Sequence, residues 1–347
     1  MRDALRTPYL LFLGDARDPL DIKTARGVHH WRPDLCVGQL RLSADAESLG
    51  LPDLTPEEAA ERGARTLVLG TVSPGGTLPD AWIDALCAAA RAGLDVANGL
   101  HRRLTSIPEL ADAAREAGVR LVDLRDPGPP PPVGKGTRRE GVRVLTVGTD
   151  CNLGKMYTAL ALTEGLRQRG VDARFRATGQ TGILIAGDGA PVDAVVSDFI
   201  SGTVEQLTPA TAADVWQIVE GQGSLHHPAY AGVSLGLLHG AQPDYLVICH
   251  EPTRAHMRHA PGFPLPSLDE TMVSNLSHAR LTNPEVRCAG FSINTSKLDD
   301  QRAATLLEDT RAAFALPACD PVRFGISALV DKLLELHAER RMEPTAT

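Results

Sequence analysis

A chain of 347 residues exceeds one ordinary domain and sets an expectation of about two, each with a substantial core, which excludes a small disulfide scaffold. Apolar residues make up 43%, charged residues 22% and aromatics only 4%, a globular balance in which Ala, Leu and Val supply the packing and extensive disorder is excluded. Lys and Arg total 35 against 43 Asp and Glu, and the resulting formal charge of -8 repels phosphate backbones and anionic membranes, so neither nucleic acid nor a membrane is an expected partner.

In the N-terminal part, strand-like runs at residues 9–13, 66–69 and 119–122 alternate with helical patterns at 56–62, 80–92 and 107–117. That rhythm predicts a parallel sheet flanked by helices. Gly14-Asp-Ala-Arg17 offers a turn that could hold an anion, and Leu69-Gly-Thr-Val-Ser-Pro-Gly-Gly76 and Asp95-Val-Ala-Asn-Gly-Leu-His101 could line a small-molecule pocket. Neither of the latter two matches Gly-x-Gly-x-x-Gly, so a nicotinamide cofactor has little support.

Asp126-Pro-Gly-Pro-Pro-Pro-Pro-Val-Gly-Lys-Gly136 favours extended backbone and removes hydrogen-bond donors, which marks a domain boundary. The expected organisation is therefore α/β in two domains: a Rossmann-like parallel sheet over residues 1–126, a Pro/Gly-rich linker over 127–140, and a P-loop NTPase-like parallel sheet over 141–347. Within the last, strands are predicted at 142–147, 173–177, 215–219, 245–249 and 286–293, helices at 155–169 and 299–313, a covering amphipathic helix at 326–341, and a frayed tail beyond.

No stretch reaches the roughly 20 apolar residues a membrane helix needs, and Met1 to Pro8 lacks the regions of a signal peptide. The expected location is the cytoplasm. Cys36, Cys87, Cys151, Cys249, Cys288 and Cys319 are widely spaced, without Cys-x-x-Cys or a zinc-type spacing, and read as reduced thiols; no metal site is expected.

The apolar run from Val142 enters Gly148-Thr-Asp-Cys-Asn-Leu-Gly154-Lys155-Met156, and an Ala/Leu-rich helix follows. Strand, glycine loop, lysine and helix together make a phosphate cradle: backbone amides converge on an anion, the helix start adds positive potential and Lys155 adds a point charge. Gly148, Thr149, Asp150, Cys151, Asn152, Gly154, Lys155 and Met156 are its candidate cofactor-binding residues. Its glycine spacing is one residue longer than the common Walker pattern and resembles that of dethiobiotin-synthetase-like ATPases.

The residue after the lysine should carry a hydroxyl to hold Mg²⁺, yet it is Met156. Thr158 lies about 200° round the helix and should point away from the cradle. A cradle without this metal anchor suits coenzyme A, which is gripped by its phosphates while it reacts at a distant thioester.

Further candidates cluster at predicted strand ends, where doubly wound sheets place ligands. Arg176, Thr178, Gln180 and Thr181 follow the second strand and could bind substrate oxygens or a phosphate. Asp198 follows in an apolar stretch, as a functional carboxylate or a helix cap. Glu220 ends the third strand where P-loop relatives keep a metal-binding or water-orienting acid, followed by Gln222, Ser224 and the pair His226 and His227, either of which could be a general base. Arg254 could clamp a carboxylate through paired hydrogen bonds, whereas His250 and Glu251 read equally well as a local salt bridge. Asn294, after the fifth strand, could read an adenine edge.

Five ordered blocks, Gly148-Thr-Asp-Cys-Asn-Leu-Gly-Lys-Met156, Ala177-Thr-Gly-Gln-Thr-Gly182, Val195-Val-Ser-Asp-Phe199, Glu220-Gly-Gln-Gly-Ser-Leu-His-His-Pro228 and His250-Glu-Pro-Thr-Arg254, together resemble one family. That family, long catalogued as a domain of unknown function, joins a Rossmann-like domain to a dethiobiotin-synthetase-like P-loop domain, and some members are D-glutamate N-acetyltransferases. Leu78-Pro-Asp-Ala-Trp82 and Asn98-Gly-Leu-His101 extend the resemblance over nearly the whole chain, and methionine after the loop lysine is a family trait; Tyr157 is a local departure.

The resemblance implies acetyl transfer from acetyl-CoA to the amino group of D-glutamate or a similar acidic amino acid. On this reading the cradle holds coenzyme A, Arg254 and Arg176 hold substrate carboxylates, and His226 or His227, polarised by Glu220, is the base. A homo-oligomer is expected. The alternatives are an ATP/Mg-dependent carboxylate-activating ligase or kinase in which Asp198 and Glu220 hold the metal, and a non-catalytic nucleotide- or metabolite-binding protein.

Overall fold

The computed structural model describes residues 5–72, 78–129 and 131–342. Residues 73–76 of the Leu69–Gly76 turn, Pro130 of the proline-rich stretch and the tail 343–347 expected to fray lie outside the described residues. The chain forms two compact units: residues through Gly128 together with Gln180–Ala194, and Pro129–Gly179 together with the chain from Val195.

The first unit contains β1 (Tyr9–Gly14), α1 (Lys23–Trp31), β2 (Cys36–Arg41), α2 (Pro56–Glu61), β3 (Thr66–Leu69), α3 (Asp80–Arg91), β4 (Asp95–Asn98), α4 (Pro108–Ala117) and β5 (Leu121–Asp123). Its five-stranded parallel sheet has the order β2-β1-β3-β4-β5. The central strand β1 is buried throughout, as a strand covered on both faces must be. Phe12 meets Trp82 of α3 edge-on at 5.3 Å in the core. The N-terminus of α2 is closed by a capping box between Thr55 and Glu58.

Two turns named as ligand candidates also serve the fold. Asp15 accepts the Trp82 indole N–H at 2.8 Å. Asn98 donates to Arg102 O at 2.6 Å and to Asp123 at 3.1 Å and accepts from Leu100 N at 2.7 Å, which closes the turn after β4.

The second unit contains β6 (Val142–Gly148), α5 (Lys155–Arg167), β7 (Ala173–Arg176), then, beyond α6 (Gln180–Ala186), α7 (Ile200–Leu207), β8 (Trp216–Val219), α8 (Ala231–Ala241), β9 (Tyr245–His250), the short strands β10 (His256–Met257) and β11 (Ala260–Pro264), α9 (Leu268–Ala279), β12 (Arg287–Ile293), α10 (Asp300–Phe314), β13 (Ala318–Cys319) and α11 (Ser327–Met342). The six-stranded sheet is parallel, in the order β13-β12-β9-β6-β8-β7. After β6 the chain builds β7 and β8 on one side and then crosses to β9, β12 and β13 on the other, so the end of β6 is a topological switch point.

Within the expected P-loop domain from residue 141, the segment Gln180–Ala194 that carries α6 is grouped with the first unit. Its Ile183, Leu184 and Ile185 are buried, Tyr9 donates its hydroxyl to Leu184 O at 3.1 Å, and Arg32 donates to Ile185 O at 3.2 Å. No described helix is long and apolar enough to cross a membrane.

Candidate active site

The loop Gly148–Lys155 leaves β6 at that switch point. Thr149 N donates to Cys249 O at 3.2 Å, and a Cβ on Gly148 would lie 2.8 Å from the same carbonyl, so only glycine lets the loop lie this close to β9. Left-handed backbone at Asn152 (φ 53°) and Gly154 (φ 108°) then curls the chain into α5. The amides of Asn152, Leu153 and Gly154 donate to no acceptor among the described residues and lie at the positive end of α5. The Lys155 ammonium donates to Asp150 O at 2.6 Å and is almost wholly buried, which holds its pKa below the usual lysine range. Thr158 donates to Gly154 O at 3.0 Å and contacts Ser292 Oγ at 2.7 Å, so its hydroxyl turns toward the sheet, as the helical spacing predicts.

Asp150, expected to contact the cofactor, is instead the buried hub of the loop. Its Oδ2 accepts from Arg254 Nη1 at 2.6 Å and from Arg258 N at 2.8 Å, and its Oδ1 from Cys151 N at 2.7 Å. Burial pushes this carboxyl up, but the hydrogen bonds and the Arg254 charge outweigh it and hold the pKa below the usual carboxylate range. Arg254 is corrected with it: Nη1 also donates to Cys151 O at 2.8 Å, and Nη2 to Glu251 at 2.7 Å and Asn152 O at 3.3 Å. Both terminal nitrogens brace the loop, so they are not free to clamp a substrate carboxylate.

The histidine pair separates. Ala229 N donates to His227 Nδ1 at 3.1 Å, so the proton sits on Nε2, which donates to Arg258 O at 2.8 Å. Both ring nitrogens are committed, and His227 is corrected from candidate base to structural residue. Asp150, Cys151 and His227 offer ligand atoms within 4.8 Å of one another, but the imidazole has no free lone pair and the carboxylate already faces Arg254. His226 Nε2, by contrast, is buried with no hydrogen-bond partner among the described residues.

Glu220 has a structural duty as well. Its Oε2 accepts from the backbone N–H of Thr178 at 2.9 Å and of Gly179 at 3.0 Å, so this oxygen fixes the turn after β7. Thr178 donates to Glu220 O at 2.7 Å and accepts from Gln222 at 3.1 Å. Gly221 N donates to Thr146 Oγ1 at 3.0 Å, where any Cβ would collide with the Thr146 carbonyl. Ser224 is buried and accepts from His226 N at 3.2 Å.

The remaining candidates scatter. Asp198 is exposed in a single 3₁₀ turn before α7, not buried as its apolar neighbours suggested. Arg176 donates to Gln217 at 2.9 Å on the edge of the sheet. Gln180 and Thr181 belong to the first unit, where Thr181 contacts Thr24 at 3.3 Å. Asn294 Oδ1 accepts from Ser296 N at 3.1 Å, which occupies one of the two groups needed to read an adenine edge.

Two residues gain weight that the sequence did not give them. His250 Nδ1 lies 3.0 Å from Thr149 Oγ1, and burial pulls its pKa down to about 4. It does not pair with Glu251, which takes Lys297 at 2.6 Å and Arg254. Arg258 sits between β10 and β11 with its backbone N–H on Asp150 and its carbonyl on His227, while its guanidinium has no hydrogen-bond or ion-pair partner among the described residues. Strands of two and five residues leave no readable period, so nothing in the sequence marked this turn.

A doubly wound Rossmann-like unit and a P-loop unit with a phosphate cradle define a two-domain α/β protein of the P-loop class. The chain belongs to the family described as domain of unknown function DUF1611: residues 132–330 match its P-loop domain and residues 38–127 its Rossmann-like N-terminal domain. It is 48% identical over 329 residues to a D-glutamate N-acetyltransferase of Tritonibacter scottomollicae, covering 95% of this chain and 99% of that protein. A D-glutamate N-acetyltransferase of a Pseudoalteromonas species is 45% identical with the same coverage. The crystal structure of a DUF1611 family protein from Anabaena variabilis ATCC 29413 superposes with a TM-score of 0.85 at 31% identity, over 95% of this chain and 100% of that one. By this kinship the chain is an enzyme, an N-acetyltransferase.

Proposed function

We propose that this enzyme transfers the acetyl group of acetyl-CoA to the amino group of D-glutamate, the activity for which its two curated relatives are named. The observation that carries the donor is the cradle: the amides of Asn152, Leu153 and Gly154 without acceptors, the buried Lys155 ammonium beside them, and Thr158 turned toward the sheet. Such a site grips phosphates by charge and lacks the hydroxyl that phosphoryl transfer needs for its metal. Coenzyme A fits because its phosphates are handles and its thioester is the reacting group.

His226 is the base in this reading, since its Nε2 is the uncommitted nitrogen of the pair. It takes one proton of the substrate ammonium so that the amine can attack the thioester carbonyl, and it passes that proton to the departing thiolate; the second proton that the nitrogen sheds as the C–S bond breaks and the amide forms is released to water. Arg258, whose guanidinium is free while Arg254 is committed, is the cation of this turn left to hold an acidic ligand.

The test is to incubate the protein with D- or L-glutamate and either acetyl-CoA or MgATP, and to follow free thiol and ADP separately. Thiol release with D-glutamate and no substrate-stimulated ADP is expected. Absence of thiol release with both enantiomers, or ADP release stimulated by glutamate, overturns the reading.

A further inference from the structure

The opposite edge of the second unit's sheet carries a charged cavity that the acetyl-transfer reading leaves unused. The residues before β6, Asp244 before β9 and the last turn of α11 surround a space of about 420 Å³. The strands are parallel, so this is the edge at which they begin; seven residues of β6 separate it from the phosphate loop, roughly 20 Å at about 3.3 Å per residue. A space of this volume is that of a metabolite site.

The walls hold more positive charge than they neutralise. Arg138, Arg139, Arg340 and Arg341 face Glu140 and Asp244. The one carboxylate of Asp244 accepts from Arg138 at 2.9 Å and from Arg340 at 2.6 Å, while Arg143 lies 4.0 Å away. Arg340 has a second partner in Glu285. Arg139 donates Nε and Nη2 to Thr208 and to Gly240 O at the ends of α7 and α8, but its Nη1 is buried with no hydrogen bond, and the nearest paired carboxylate, Glu205, is 3.7 Å away. Arg341 is exposed and has no partner among the described residues. Burial, followed by the neighbouring arginines, lowers the Arg143 pKa to about 10 despite the attraction of Asp244. Guanidinium groups kept half-buried and under-compensated attract a compact anion strongly, because the fork of each can hold two oxygens.

We propose that this cavity is a second ligand site, for a small molecule bearing a dianionic group, either a phosphate or a pair of carboxylates, held by Arg341 and Arg138. It is independent of the acetyl-transfer assignment.

The experiment titrates the full chain with inorganic phosphate and, separately, with succinate, and locates binding by hydrogen–deuterium exchange. Slower exchange at residues 138–142 and 337–342 with either anion is expected, and which anion acts tells the phosphate source from the dicarboxylate source. Arg341→Glu, at an exposed and unpaired position that folding does not need, should weaken this binding by about tenfold or more, the loss of one charge-assisted pair, with the exchange of the phosphate loop as in the parent. Arg138→Gln should weaken it in the same direction. The site is refuted if neither anion slows exchange in these two segments, or if Arg341→Glu binds as tightly as the parent.

Discussion

Arg254 reaches across from the end of β9 to place Nη1 2.6 Å from Asp150 Oδ2 and 2.8 Å from Cys151 O, so the phosphate loop is held from behind by an ion pair whose carboxylate is fully buried. Removing one partner of such a pair leaves the other charge buried and costs about 3–5 kcal/mol. Arg254→Ala should therefore lower the Tm and weaken coenzyme A binding while leaving the KM for glutamate within about twofold among molecules that remain folded. Arg254→Lys should rescue little, because one ammonium cannot serve Asp150, Glu251 and two carbonyls at once. A selective rise in glutamate KM with unchanged Tm would restore Arg254 as a substrate clamp.

Lys155 and Asp150 meet through the loop carbonyl, with the ammonium desolvated. Lys155→Met removes a buried charge, so the Tm should hold or rise, whereas the coenzyme A Kd measured by calorimetry should increase by about tenfold or more. Unchanged affinity would remove the cradle assignment.

Neighbouring histidines should give opposite phenotypes. His226→Gln should cut kcat by about 10²–10⁴, as loss of a general base does, with little change in Tm. His227→Gln breaks bonds to Ala229 N and Arg258 O, and should lower stability by about 1–3 kcal/mol with a smaller effect on kcat per folded molecule. Reversal of this pattern would move the base to His227.

The half-buried His250 makes stability depend on pH. Its pKa is about 4 in the folded protein against 6.5 unfolded, so between these values the unfolded chain binds the extra proton and stability rises with pH. A shift of that size corresponds to about 3 kcal/mol, lost as pH falls from 6.5 to 4. His250→Asn should flatten the Tm profile across that window. Asp150 acts lower: its pKa is depressed, so its contribution is complete above about pH 4 and is lost as pH falls below that. A His250→Asn profile as steep as the parent's would show that another group titrates there.

Met156→Thr supplies the hydroxyl that the loop lacks, yet Glu220 remains tied to Thr178 and Gly179. The variant should bind coenzyme A about as the parent does and show no MgATP hydrolysis above background. Turnover of ATP would mean that the hydroxyl alone separates this site from a phosphoryl-transfer enzyme.

The sequence by itself determined what is local. Largely apolar runs marked β1, β6 and β9, glycine spacing marked the phosphate loop, and the 3.6-residue turn sent Thr158 away from it. Elements with a mixed signal escaped. In β2, Gln39 is buried because it bonds Ser48 and Asp53, which hides a strand behind a polar residue. In α8, apolar residues surround the axis, and Gly240 sits where a Cβ would lie 2.5 Å from Ser201 O of α7, so no polar face reveals the helix.

Only the tertiary structure decided which polar groups are free. Asp150, Arg254, Glu220 and His227 carry side chains suited to catalysis, but partners mostly distant in the chain already occupy donors or acceptors of each. His226 and Arg258 are left uncommitted by the same packing. Residue type sets what a group can donate or accept, whereas the fold sets whether that capacity is already satisfied, and contacts 30 to 100 residues apart are not written in any local pattern.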